Sequence, residues 1–344
     1  MNDIIEKDID NIWREVDLSE MAGKLLLITG ATGLIGTYLI HTVKKFNAES
    51  KEPISLCLVT HNELPAHLAF LKNEPYVKIY RGDLSVYDFC QALPNADYII
   101  HAAGYGQPGK FMANKMKTLR LNTLVTDILL KKLNRGGKFL FISTSEIYSG
   151  ATDIPYREES HGVTMPNHAR ACYIEGKRCG EAMCYVHAKN NEHVRIARIA
   201  LAYGPGVRAS DKRVLYNFIQ KGLQGTIDMM DRGEARRTYC YVADTVSLLW
   251  NILLKGKEII YNVGGHSHVT IRELADLVAQ NLKAKVVIPQ EVPGVQGAPQ
   301  DVFLDMTKAE NEFGKSTYVP IEIGIQQTVS WYEENLFTGG GTLT

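Results

Sequence analysis

Short, mainly apolar runs alternate with helical stripes through the N-terminal part of the chain. Leu25–Thr29 is a continuous apolar run of the kind buried parallel strands require, 138–143 is another apolar strand, and 54–60, 77–80, 97–101 and Val194–Ile199 are strand-like. Between them, 37–46, 111–133 and 171–191 repeat apolar positions at helical spacing. This alternation predicts an α/β fold with a doubly wound parallel sheet. Ahead of it, Ile4, Ile5, Ile9, Ile12, Trp13 and Val16 form a helical stripe, which we read as a helix covering the edge of the next domain. After Tyr203-Gly204-Pro205-Gly206 the texture changes to shorter elements. Helices are expected near 211–224, 241–254, 270–282 and 321–336, with Pro and Gly clustered at 293–299 and a disordered glycine-rich tail at the end.

Composition narrows the class. A chain of 344 residues predicts one large or two unequal lobes, and 45% hydrophobic with 22% charged residues is an ordinary soluble balance. Formal net charge is zero, so no global field draws in nucleic acid or an anionic membrane, and an anionic ligand must be met by local arginines. No apolar run approaches the roughly 20 residues that span a bilayer. The six cysteines (57, 90, 172, 179, 184 and 240) are scattered without Cys-x-x-Cys spacing. With no leader segment evident, they suggest reduced thiols and a cytoplasmic location.

The candidate chemistry lies at the strand ends. Leu25–Thr29 runs into Gly30-Ala31-Thr32-Gly33-Leu34-Ile35-Gly36 and then a helix, the context in which glycines let a backbone approach a pyrophosphate at a helix N-terminus. A carboxylate ending the second strand would bind the adenosine ribose diol, but the residues there are Thr60-His61-Asn62-Glu63, so NAD and NADP stay open. Asp83-Leu84 and Ala102-Ala103 end two further strands, and Ser143-Thr144-Ser145-Glu146-Ile147-Tyr148 follows another. Tyr173 and Lys177 are one helical turn apart, and a lysine charge beside a phenol lowers its pKa. The pattern alone is common on solvated helices; its company makes it a candidate proton acceptor. Among the remaining features, His266-x-His268 reads as a polar loop and Cys172 as a packing residue. Arg208, Lys212, Arg213, Arg232, Arg236 and Arg237 form a basic set of which some members suit a diphosphate.

From about residue 24 to 335 the chain resembles the extended short-chain dehydrogenase/reductase family that modifies nucleotide sugars. The resemblance rests on Thr29 to Gly36, Gly82-Asp83, His101-Ala102-Ala103, Ser143 to Tyr148, and Tyr173 with Lys177. Within it, Arg170 to Arg178, Lys212 to Ile219 and Arg237 to Asp244 are most similar to the UDP-glucuronate decarboxylase branch. It implies a Rossmann-like domain over 23–203, to which 240–265 could return, preceded by a helical extension over 1–22. A smaller, partly interleaved nucleotide-sugar lobe would occupy 204–336, with a tail over 337–344.

The resemblance also implies roles. Gly30, Thr32, Gly33, Leu34, Ile35, Gly36, Asp83, Leu84, Ala102 and Ala103 would bind NAD (NADP not excluded) together with Tyr173 and Lys177. Tyr173, Lys177, Thr144 and Glu146 would act on a sugar oxidised at C4. Ser145, Glu146, Asn217, Arg208, Arg213 and Arg237 would hold a nucleotide-sugar substrate. No metal is implied, and helices 111–133 and 171–191 would pair across a homodimer. Three departures stand out: no acid ends the second strand, Gly206-Val207 intervene before Arg208, and no arginine follows Arg272. The alternatives are a 4,6-dehydratase for a GDP-, dTDP- or CDP-hexose, a 4-epimerase or C4 dehydrogenase, and, from another class, a non-catalytic dinucleotide-sensing scaffold.

Overall fold

The computed structural model describes residues 3–190, 193–290 and 300–337; the proline- and glycine-rich stretch at 293–299 and the glycine-rich tail fall outside them. Six strands arise in order: β1 (Leu25–Thr29), β2 (Ser55–Thr60), β3 (Val77–Arg81), β4 (Ala96–His101), β5 (Leu133–Thr144) and β6 (Val194–Ile199). Next come β7 (Leu201–Tyr203), β8 (Thr226–Asp228), β9 (Arg236–Tyr241), β10 (Ile260–Val263), β11 (Ser267–Thr270), β12 (Lys285–Val287) and β13 (Asp301–Val302). The main sheet has seven parallel strands in the order β10-β6-β5-β4-β1-β2-β3. The strand order reverses beside β1, and at such a switch point the carboxyl edge opens a crevice for ligands. A second sheet is built around β9, with β11, β13 and β7 as its partners.

Helices cover both faces of the main sheet. They are α1 (Asp3–Glu15), α2 (Leu34–Glu49), α3 (Tyr87–Gln91), α4 (Pro108–Ala113), α5 (Lys115–Asn122), α6 (Leu124–Lys131), α7 (Ala171–Ala188) and α8 (Val214–Gly222). The C-terminal part adds α9 (Val242–Lys255), α10 (Ile271–Leu282), α11 (Thr307–Phe313) and α12 (Ile321–Tyr332). One core joins α1, α2 and α9 to the sheet and runs on into the C-terminal lobe, while a second lies under α6 and α7 on the opposite face. After the excursion through α8 and β9, the chain returns: α9 packs on β5 and β6, and β10 pairs with β6.

The stretch 111–133, expected as one helix, is three. The chain leaves helical geometry at Asn114 (φ −126°, ψ 50°) and Thr123 (φ −117°, ψ −81°). Thr118, Asn122, Thr123 and Thr126 each donate to the carbonyl four residues back. Such back-bonding offers the backbone an alternative to a straight helical ladder, which apolar periodicity does not register.

Helix α1 is tied to both lobes through Asp8, a buried carboxylate. Asp8 accepts from Tyr38 of α2 at 2.7 Å and from Tyr241 of β9 at 2.8 Å. Burial pushes its pKa up to about 6, against the two phenol hydrogen bonds, with Asp244 adding to the rise. A carboxyl whose folded-state pKa exceeds its unfolded value holds its proton more tightly when folded. Stability from this group is therefore greatest below about pH 4 and declines until about pH 6, by about 2–3 kcal/mol. Asp8→Asn is expected to flatten that part of the urea-midpoint profile; an unaltered slope would show that Asp8 does not titrate differently on folding.

Candidate active site

The carboxyl edge of β1 carries the glycine-rich turn. Gly30 sits at φ +73°, and a Cβ there would lie 2.7 Å from the Ala102 carbonyl carbon and oxygen at the end of β4. A Cβ on Gly36 would lie 2.6 Å from the Ala31 carbonyl oxygen. Only hydrogen fits at these two places, so the turn closes tightly under the first turn of α2. That helix starts at Leu34 with no side-chain cap on Gly33, leaving its first N–H groups facing the crevice as anion donors. The turn, the end of β2, Asp83-Leu84 and Ala102-Ala103 line a cavity of about 400 Å³. Gly30, Thr32, Gly33, Leu34, Ile35 and Gly36 all face it. A bare glycine cradle and a helix N-terminus beside this cavity fit a dinucleotide pyrophosphate.

Polar side chains hold the rim. Burial raises the Asp83 carboxyl, but Lys117 at 2.6 Å and two hydrogen bonds from Ser85 outweigh it and hold its pKa at about 2. Thr29 connects β1 to β4: its hydroxyl receives the Ala103 N–H at 3.1 Å and lies 2.8 Å from His101 Nδ1. His101 Nε2 lies 3.0 Å from the Leu121 carbonyl, which only accepts, so Nε2 carries the proton and Thr29 donates to Nδ1. Burial and the Lys177 charge push the His101 pKa down to about 3 and keep it neutral.

Tyr173 and Lys177 lie in α7, both buried, and both meet the end of β5. The Lys177 ammonium donates to the Ile142 carbonyl at 2.6 Å, on the wall of the cavity. Tyr173 shares a hydrogen bond with Thr144, two residues along the same strand, and stacks on Phe111 with centroids 4.6 Å apart. The expected lowering of the phenol pKa by Lys177 is not what the structure shows. Burial, and next the Glu146 charge, push Tyr173 up to about 12, while Thr144, Arg170 and Arg213 pull against them. Burial pulls Lys177 down to about 8. The physical reason is local: the ammonium is turned toward a backbone carbonyl, and desolvation of each group outweighs their mutual effect.

Glu146 follows Thr144 and forms an ion pair with Arg170. Burial raises its pKa, opposed by Arg170 and Arg237. Arg170, at the N-cap of α7, lies over the Phe111 ring at 5.5 Å. Sequence reasoning gave Arg170 no role, although its place one helical turn before Tyr173 was a usable signal; Phe111 offered none. Arg237 is half-buried on β9 and donates to the Arg236 carbonyl at 2.6 Å. Arg208 and Arg213 reach the cavity wall, but Arg208 donates to the Thr32 hydroxyl and carbonyl, touching the glycine-rich turn. Arg213 is engaged by Asp211 at 2.8 Å and by the Ala202 carbonyl. Ser145 and Asn217 are partly exposed and do not line the cavity. His266 and His268 pair separately with Glu310 at 2.6 Å and Asp301 at 2.5 Å, and no metal cluster forms among the described residues.

A buried network backs this edge. Ser143 at the end of β5 donates to Glu181 of α7, which pairs with Arg198 of β6 at 2.7 Å. Arg198 also bonds Tyr148 at 2.9 Å, and Tyr148 donates to Asn262 of β10 at 2.7 Å.

Comparison with known proteins places this geometry. The model of the NAD dependent epimerase/dehydratase family matches residues 26–264. The chain belongs to that family. Among curated members, UDP-glucuronic acid decarboxylase 1 of Danio rerio is 32% identical over 327 residues, covering 93% of this chain and 75% of that protein. UDP-glucuronic acid decarboxylase 6 of Arabidopsis thaliana is 30% identical over 309 residues, 87% of this chain and 86% of that protein. The dTDP-glucose 4,6-dehydratase DesIV of Streptomyces venezuelae, solved with NAD and TYD, superposes with TM-score 0.78 at 23% identity, covering 90% of this chain and 97% of that one. In this family member the glycine turn, Asp83 and the α7 pair thus belong to an NAD-dependent epimerase/dehydratase fold, and no helix among the described residues is long and apolar enough to cross a membrane.

Proposed function

We propose that this chain is a UDP-glucuronate decarboxylase that works through transient oxidation at the sugar C4. The observation that carries the reading is the charge balance beside Tyr173: one carboxylate, Glu146, flanked by two guanidinium groups, Arg170 and Arg237. The excess positive charge suits a sugar that brings its own carboxylate, and the decarboxylases named above are relatives at 30% identity or more. Bound NAD supplies the hydride acceptor, the later hydride donor, and a positive charge that favours phenolate. Tyr173 takes the C4 hydroxyl proton, with Thr144 hydrogen-bonded at the same place. Lys177, whose ammonium is held by the carbonyl of the cavity-lining Ile142, meets the nicotinamide ribose. Oxidation leaves a ketone β to the C5 carboxylate; carbon dioxide then departs with its bonding electrons left as an enolate, which is reprotonated before hydride returns. Glu146 and the arginines orient the carboxylate.

A 4,6-dehydratase would need Glu146 free to strip the C5 proton, and its engagement by Arg170 argues for the first reading. Mass spectrometry of products from a nucleotide-sugar panel decides. A product lighter than UDP-glucuronate by one carbon dioxide is expected; one lighter than a hexose substrate by one water would replace the proposal with the dehydratase. The reading extends to a homodimer across α5 and α7, whose exposed Met116, Tyr185 and Val186 are apolar.

A further inference from the structure

The rim of the cavity beyond the glycine turn is formed by Thr60, His61 and Asn62, where β2 ends. A carboxylate here selects NAD, because it accepts from the ribose 2′-hydroxyl and repels a 2′-phosphate. This chain has none at that place. Glu63, the next residue, is turned to Arg81, whose Nη1 lies 2.8 Å from its Oε1. Asp83, the other carboxylate on this side of the cavity, is neutralised by Lys117.

What the rim offers instead is uncommitted hydrogen-bonding capacity beside an arginine held only by a surface ion pair. His61 is exposed, and neither its ring nor the Asn62 amide has a partner among the described residues. Arg81 stands beside Thr60 across the β2–β3 pairing, so it shares the same sheet edge. Its pair with Glu63 is a surface one, with side chains 59% and 75% exposed, weak enough for a phosphate to exchange with it.

We propose that His61, Asn62 and Arg81 make this a dual reader of the adenosine ribose, accepting NADP as well as NAD. Asn62 meets the free 2′-hydroxyl of NAD; His61 and Arg81 meet the 2′-phosphate of NADP. The inference rests on the cavity being the dinucleotide site, as the proposed function does, but not on what becomes of the sugar. It is tested by calorimetric titration, with NAD and with NADP, of protein freed of copurified nucleotide. The two dissociation constants are expected to lie within about tenfold of each other, a gap of at most about 1.4 kcal/mol. His61→Asp is expected to weaken NADP by more than about tenfold relative to NAD, by restoring the repulsive carboxylate. Arg81→Gln should weaken NADP and leave NAD unchanged. A wild-type gap wider than tenfold overturns the proposal, and so does a His61→Asp variant with an unaltered ratio. Neither result touches the product masses, so failure here is separable from failure of the decarboxylase reading.

Discussion

Tyr173→Phe is expected to lower turnover of UDP-glucuronate by about a thousandfold or more, since it deletes the one group placed to accept the alcohol proton. The fold should survive, because the ring keeps its stack on Phe111 and its place in the α7 face; only the hydrogen bond with Thr144 goes. Binding of NAD and of UDP, measured by calorimetry, should therefore change little. A variant keeping a tenth or more of the wild-type rate would remove Tyr173 from the reaction. The wild-type pH profile carries a second reading. With the phenol pushed up to about 12 in the ligand-free protein, the fraction of phenolate is small at neutral pH, and kcat/KM should rise with pH through the neutral range.

Glu146→Gln is expected to reduce kcat by about a hundredfold or more, with KM changing only a few-fold. The charge it removes is the partner of Arg170 and, through space, of Arg237. In the variant both guanidinium groups face the substrate carboxylate with no competitor. They would hold the carboxylate more tightly and slow its departure as carbon dioxide. Losing Glu146 also takes away the second-largest influence raising the Tyr173 pKa, so the rise of kcat/KM with pH should begin at lower pH than in wild type. An unchanged kcat together with an unchanged profile would make Glu146 a structural residue.

β1 was readable because a strand covered on both faces must be apolar throughout, and it runs straight into the glycine turn; the other strands were readable as mainly apolar runs alternating with helical stripes. The Gly30 to Gly36 turn was readable for the same kind of reason: close approach leaves a short list of residues. Tyr173 and Lys177 were placed on one face by helical spacing alone. Their electrostatics were not, because the Lys177 ammonium goes to the Ile142 carbonyl, a partner 35 residues away, and burial dominates both groups. The pairing of Glu146 with Arg170 spans 24 residues and was equally invisible to local pattern. Arg208 was expected among the substrate ligands; in the structure it donates to Thr32 of the glycine-rich turn, because the loop after β7 folds back over it. The break in 111–133 came from threonine and asparagine hydroxyls and amides that apolar periodicity does not weigh.

The return of the chain to β10 bears on how this protein can be cut and recombined. A fragment ending at Tyr203 would lack both α9 and β10, uncovering the apolar face of β5 and the open hydrogen-bonding edge of β6. Asn262 would go with it, leaving Tyr148 and the Glu158 carboxylate without their buried amide partner. A chimera that trades sugar specificity between relatives therefore needs two junctions, one on each side of the excursion, and a single splice after β7 should yield aggregate.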